Sequence, residues 1–384
     1  MNWKTVILPL ILFSGFLLGQ FPVELNPDEI TEPVSFTAGS DTEFLLTVTA
    51  SSNTNWDLAE SESATLVVIV DGDWNSYNQD IVLYAGQSPH LYYTSLGPIL
   101  AGEHSIQFKF DDAKSSTGAN LIEIENIELT DIATIDIDAD AMTHSPILYG
   151  RDLLSWNEST RTDIPLIMWH DISQEGSNKR ITYSIIFSNE DSRVGVGLAD
   201  LMYSYGRTTD IEWMYEVLLS ASGEILSEIF QGASHITTDF QGNKIGRHPI
   251  LKNATLNCNF TDEGTSDYKF FLSPLFTTID NHTREILMDE NPWSYRIMAE
   301  ELINEERYET LADPGSVEIS DVRNYLYLEY GGSISGQNIA LEISANFIGN
   351  CDIYVHHHHY PDFSYDYDGG VDRTSIELPE NFDP

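Results

Sequence analysis

The chain has 384 residues, with 61 Asp and Glu against 18 Lys and Arg, a formal net charge of −43 at pH 7. A surface that negative repels phosphate backbones and anionic headgroups, which argues against nucleic acid and bilayer-surface partners. After the first twenty residues no apolar run approaches the ~18 residues that cross a bilayer, so no membrane insertion is expected.

The N-terminus carries Lys4, an apolar run from Val6 to Leu18, and then Gly19 and Gln20. This is the pattern of a signal peptide over residues 1–20, and it predicts a secreted, periplasmic or outer-surface protein. The rest of the chain is longer than one small core usually holds, so two domains are expected, 21–135 and 136–384. In TEFLLTVTA, Phe44, Leu46 and Val48 share one face, and in SIQFKFDD, Ile106, Phe108 and Phe110 do. Such period-two patterning predicts half-buried strands, and Asp-Gly at 71–72 with Ala-Gly at 85–86 and 101–102 marks turns between them. In LIEIENIEL the apolar parity changes from Ile122 and Ile124 to Ile127 and Leu129, as a β-bulge near Asn126 would cause. The segment TDIATIDIDADAM reads as a last strand and a linker, whose aspartates are weak calcium-ligand candidates without the Gly and distal Glu of an EF-hand loop.

From about 143 the chain returns to strands that are longer and more aromatic, with one helix near 292–308 opened by Asn291 and Pro292. A further helix fits 197–205. The fold class is therefore mostly β, an N-terminal β-sandwich followed by a larger antiparallel β-sandwich-like domain with that helix.

The densest polar cluster lies between Asn189 and His248. Ser188-Asn189-Glu190-Asp191 ends one strand, and Arg207-Thr208-Thr209-Asp210-Ile211-Glu212-Trp213 enters another. Alternation puts Asp210, Glu212 and Glu216 on one face and Ile211, Trp213, Tyr215 and Val217 on the other. Carboxylates at i and i+2 on a strand lie about 6.5–7 Å apart, within the span of an inverting glycosidase pair. Asp210, Glu212, Arg207 and His235 are thus the catalytic candidates. An exposed strand face with Arg207 paired to a carboxylate fits the same residues. If they form a site, the carboxyl nearer Arg207 keeps a low pKa and the other a raised one.

Ligand-binding candidates are His144, Arg151, Glu190, Asp191 and His248 beside strand-like segments, and Trp74 and Tyr77 on a first-domain loop, where aromatics next to carboxylates and amides suit stacking on sugars. Each histidine is equally readable as an ordinary hydrogen-bonded side chain. The tract His356–His359 and the acidic run after it give His356, His358, Asp366 and Asp368 as metal candidates, for calcium or another divalent ion. Cys258 and Cys351 are the only cysteines, and either a disulfide or two buried thiols fits an exported protein. The GxSxG, Walker and Rossmann signatures are missing.

The run from His144-Ser145-Pro146-Ile147 through RITYSIIFSNED and TDIEW to GASH and RHPIL resembles the vacuolar protein sorting-associated protein 62-like family over about 143–260. Thr209-Asp210-Ile211-Glu212 stands where that family has Gly-Asp-Trp-Glu, with the Trp displaced to 213. The resemblance implies a β-rich fold, marks Asp210, Glu212, His235 and His248, and implies no particular reaction. Together these features point to an extracellular binding protein for a glycan or cell-surface polymer, with calcium as a candidate aid. A polysaccharide hydrolase using the carboxylate pair and a structural envelope or matrix protein are the alternatives.

Overall fold

The computed structural model describes residues 21–73, 79–151, 164–190, 197–308, 319–332, 339–341, 344–347, 353–356, 365–367 and 370–378. Residues 1–20, the expected signal peptide, lie outside them. The first part runs β1 (Val23–Leu25), β2 (Val34–Ala38), β3 (Thr42–Ser52), β4 (Thr65–Val70), β5 (Gln79–Val82), β6 (His90–Ile99), β7 (Gly102–Phe110) and β8 (Ile122–Asp131). These strands form two antiparallel sheets, ordered β1-β8-β3-β6 and β2-β7-β4-β5. Leu46, Val48, Ile106, Phe108 and Phe110 are fully buried, as the alternation requires. The β3–β8 register jumps from Thr49 opposite Asn126 to Ala50 opposite Ile124, so Glu125 is the extra residue of the expected bulge.

The segment 130–142 departs from the expected strand and linker. After β8 it makes a single 3₁₀ turn at Ile132–Thr134 and a short helix, α1 (Ala139–Thr143). Asp138 caps α1 by accepting from the backbone N–H groups of Asp140 and Ala141. Lys179 Nζ reaches Asp138 at 2.8 Å and Asp140 at 2.6 Å, so these aspartates are committed to a lysine and a helix end.

The second part is built on one large curled sheet. Its elements are β9 (Ile147–Tyr149), β10 (Pro165–Glu175), β11 (Asn178–Phe187), α2 (Leu198–Tyr205), β12 (Ile211–Leu219), β13 (Ile225–Gly232), β14 (Ile236–Asp239), β15 (Lys244–Ile245), β16 (His248–Asn253), β17 (Phe260–Thr261) and β18 (Lys269–Phe270). The order is β10-β11-β12-β13-β17-β16-β9-β18, with β14 on β13 and β15 on β16. Most pairs are antiparallel, while β13–β17 and β16–β9 are parallel. Beyond β18 the chain returns to the far edge, where Phe276 bridges Trp169 of β10.

Two helices come next, α3 (Ile286–Glu290) and α4 (Trp293–Asn304). The sequence places Asn291 at the start of the long helix; instead it closes α3, its amide donating to Leu287 O at 2.9 Å, and Pro292 occupies the N-cap of α4. The helix stops at Asn304, short of 308, because Glu306 turns left-handed at φ 54°. Beyond it lie β19 (Tyr325–Gly332), two short hairpin pairs, β20 (Ile339–Leu341) with β23 (Tyr365–Tyr367) and β21 (Ser344–Phe347) with β22 (Ile353–His356), and finally β24 (Gly370–Glu377), which pairs with β19.

The sandwich and the curled sheet share one hydrophobic cluster. Polar contacts stitch the same seam. Ser95 N–H and Thr94 Oγ1 both donate to Phe271 O, at 2.8 and 2.9 Å. Buried Asp80 accepts from Lys114 Nζ at 2.8 Å and from Lys269 N–H at 2.8 Å.

Candidate functional site

One end of the curled sheet gathers the polar residues. Chain direction alternates across it, so the end of β11, the start of β12 and the end of β13 are neighbours, with β17 and the end of β16 beside them. This brings Glu190, Asp210, Glu212 and His235 together. Arg151, just beyond the end of β9, lies at the same end of the sheet, because β9 runs parallel to β16.

Glu212 reaches the site through a bulge that the alternation hides. Tyr183 pairs with Tyr215, but Ser184 pairs with Trp213, so Met214 is the extra residue. Glu212, opposite Ile185, is thereby placed on the face of Tyr183 and Tyr215. Glu216, opposite Thr182, points the other way, where it pairs with Arg180. The expected common face of Asp210, Glu212 and Glu216 is corrected accordingly.

All three site carboxyls are nearly buried, with Asp210 at 4%, Glu212 at 7% and Glu190 at 8% exposure. Burial, then the charge of Asp210, pushes Glu190 up to about 7. Burial and the charge of Glu212 push Asp210 up to about 7. Burial also lifts Glu212 to about 7, against a hydrogen bond from Gln231. The expected split into one low and one raised carboxyl does not occur. The reason is Arg207, whose Nε donates to Glu285 Oε1 at 2.9 Å and whose guanidinium also caps Thr209 O. Its pair is Glu285, just ahead of α3, so its charge acts on the site carboxyls only at a distance.

The surroundings are polar and tightly constrained. Gln231, 1% exposed, donates to Glu212, and its Nε2 lies 3.0 Å from His235 Nδ1. His235 Nδ1 is 3.6 Å from Glu212 Oε1, and its side chain is 56% exposed, so it forms the solvent face of the group. Cys258 is buried and its thiol hydrogen-bonds Asp210. Exposed Arg284 adds a positive charge near Asp210 and Glu212. Ser234 and His235 both sit at φ 58° and Cys258 at φ 44°, three non-glycine residues in left-handed backbone around one site. Strain of this kind persists only where its surroundings impose it, and it concentrates at functional sites. Asp210 Oδ2, Asn189 Nδ2 and Asn259 Nδ2 are buried here without hydrogen-bond partners among the described residues, an uncommon state that calls for a reason.

Other sequence candidates fall elsewhere. His248 starts β16, and the site adjoins the end of that strand, about 16 Å along it. His248 lies instead between Ser145 O, at 2.8 Å, and Glu43 Oε2 of the sandwich, at 3.1 Å. His144 bonds Asp140 O at 2.9 Å and belongs to the same seam. Both are therefore removed from the ligand set of this site. Of the positions marked by the family resemblance, Asp210, Glu212 and His235 converge and His248 does not. Trp74, Tyr77, Asp191, His358, Asp368 and Cys351 lie outside the described residues. His356 ends β22 and Asp366 lies in β23, on two different strand pairs, and only their backbone course is described. Among the described residues no group of three or more His, Cys, Asp or Glu side chains is arranged to hold a metal ion. Gln231, Arg284 and Glu285 carry no sequence signal: they reach the site from elements 19 to 78 residues away from the groups they contact.

No family model matches the chain, and no curated protein does. Among solved structures it is similar to the insecticidal δ-endotoxin Cry8Ea1 of Bacillus thuringiensis, at 14% identity and TM-score 0.22, over 29% of this chain and 19% of that one. A ruminal GH26 endo-β-1,4-mannanase gives 11% identity and TM-score 0.22, over 38% and 25%. A Paenibacillus cycloisomaltooligosaccharide glucanotransferase gives 11% and 0.21, over 65% and 40%. The chain spans less than half of each of these structures. The similarity to carbohydrate-active proteins is weak, and TM-scores this low establish no shared fold.

Proposed function

We propose that this chain is an exported carbohydrate-active protein, and that Glu190 and Glu212, backed by Asp210, perform acid–base chemistry on the glycosidic bonds of a neutral glycan. The observation that carries this reading is the convergence of three nearly buried carboxyls whose mutual repulsion and burial hold them near pH 7. Such a group keeps a proton at neutral pH and titrates as a unit. One glutamic acid then protonates the leaving oxygen, while the ionised one takes a proton from the attacking water, so the bond is cleaved with net addition of one water. Asp210, the deepest of the three, acts as a positioning residue by its charge. The net charge of −43 disfavours polyanionic chains, and we take neutral ones as the substrate class.

The test is hydrolysis of a panel of neutral polysaccharides. Glu190→Gln and Glu212→Gln should each lower kcat by about 10²–10⁴-fold on any polymer the wild type cleaves, with unchanged circular dichroism. Because the carboxyls sit near 7, activity should peak close to neutral pH. Full turnover by Glu212→Gln would remove the assignment. A second reading, glycan binding without turnover, is favoured by how little carboxyl surface is exposed. It predicts that the wild type binds an oligosaccharide, that the two Gln variants still bind it, and that none of the three hydrolyses it.

A further inference from the structure

A second concave site lies at the seam between the sandwich and the curled sheet. It is a cavity of about 310 Å³ bounded by β5 and β6, by the start of β10, by the stretch from Phe270 to Phe276, and by the α3–α4 junction. This is near the lower end of the range for small-ligand pockets. Its walls are apolar, and seven of the lining residues are Phe, Tyr or Trp. Trp293 lies parallel to Tyr84, with centroids 5.3 Å apart and an angle of 9°. His90 meets Trp293 edge-on at 4.8 Å. Trp293 is only half-buried, so its indole still presents surface to the cavity, and Tyr93 at 37% exposure stands at the rim.

The polar character of the cavity is neutral. Among the described residues that line it none is Lys or Arg, so these offer no cationic grip for a phosphate, sulfate or carboxylate. Asp80, the one acidic residue among the described ones in the lining, is committed to Lys114 and Lys269. Burial lowers His90 to about 4, so its ring is uncharged at neutral pH. Its Nε2 lies 3.4 Å from the Tyr84 hydroxyl. The remaining groups are phenols, an imidazole, hydroxyls and an amide, which match the hydroxyls around a ring whose C–H faces suit aromatic walls.

The cavity also adjoins the carboxyl site. Ile164, one of its lining residues, accepts through its carbonyl from Ser188 N–H at 2.9 Å, two residues before Glu190. On the other side, α3 links Glu285, the partner of Arg207, to Asn291 in the cavity wall. That is six residues, on the order of 10 Å of helix.

We infer that this cavity is a subsite for one neutral sugar ring, stacked against Trp293 and held at its hydroxyls by Tyr93 and His90. The sugar class rests on the function proposed above, whereas the position of the subsite rests on the seam geometry. Cellohexaose, mannohexaose, xylohexaose and maltohexaose serve as probes, with polygalacturonate fragments as the anionic control and indole as the apolar one. Binding is followed by calorimetry and by the tryptophan indole N–H signals in NMR. At least one neutral hexaose should bind. Trp293→Ala should weaken it at least tenfold and Tyr93→Phe, which leaves the packing intact, several-fold. The inference is overturned if no neutral hexaose binds, if only indole or the anionic fragments bind, or if both cavity variants bind as the wild type does. Binding lost in Glu212→Gln but kept in Trp293→Ala also overturns it, because the ring then sits among the carboxyls. Binding in the expected pattern without any hydrolysis sustains the subsite and counts against the acid–base function alone.

Discussion

Asp210 is 4% exposed and stands against Glu212, so its proton is part of the fold. An unfolded carboxyl titrates near 4, and the folded Asp210 near 7. Folding therefore takes up protons between those values, and this contribution to stability falls as pH rises from about 4 to about 7 and is flat above. Asp210→Asn removes the effect while keeping an acceptor for Cys258. The variant should be more stable than the wild type at pH 8, on the order of 1–3 kcal/mol, with a flatter urea-midpoint profile between pH 4 and 8. Parallel profiles for the two proteins would contradict it. Arg207 and Glu285 are the opposite case. Burial works against the Glu285 charge, yet Arg207 and Arg284 hold its carboxyl below the ordinary range. Glu285→Ala strands a buried guanidinium and should cost about 3–5 kcal/mol in urea, whereas the double change Arg207→Met with Glu285→Leu should recover most of it. Neither fact was readable in the sequence. Arg207 stands three residues from Asp210 and 78 from the carboxylate it pairs with, and spacing along the chain favoured the wrong partner.

At the level of elements, patterning worked where one face of a strand meets a core. The alternation in Thr42–Ser52 and Gly102–Phe110 and the parity change beside Asn126 all have their counterparts in the sheets. The bulge at Met214 left no such trace, because Met is apolar and Ile-Glu-Trp-Met-Tyr-Glu-Val reads as regular alternation with or without a slip. Only the partner strand reveals it, and with it the turn of Glu212 toward the site. The parallel pairing of β16 with β9 is equally silent, since it joins segments about a hundred residues apart. The entry to β12 depends on Gly206, which ends α2 at φ 65° with its α-carbon pressed toward Tyr327, Arg373 and Thr374 O. A Cβ there would face both left-handed backbone and contacts of 3.3–3.4 Å. Gly206→Ala should destabilise by at least about 1 kcal/mol and, by shifting Arg207, disturb the carboxyl site. Urea denaturation and a pH titration of the variant check both effects.

For the whole molecule, the seam decides how the chain unfolds. The apolar cluster runs through both parts, and Asp80, Phe271, Glu43 and Trp56 of one or the other take hydrogen bonds across it. Calorimetry should show one cooperative transition. Asp80→Ala, which leaves Lys114 without its carboxylate, should lower the midpoint without splitting the peak, and two resolved peaks would mean that the parts fold independently. Composition and alternation were enough to read a mostly β molecule. They were silent on this seam, because it is made of single residues scattered across the chain. One further feature bears on self-association. The outermost strand of the large sheet, β10, is covered where the chain returns to it: His170 N–H donates to Phe276 O at 3.1 Å, and Asp171 accepts from Thr278 N–H at 3.2 Å. An uncovered strand is a template on which other molecules can add their own strands. Here the returning chain takes the His170 backbone group and the Asp171 side chain, so this part of the edge is closed to a strand added by another copy of the protein.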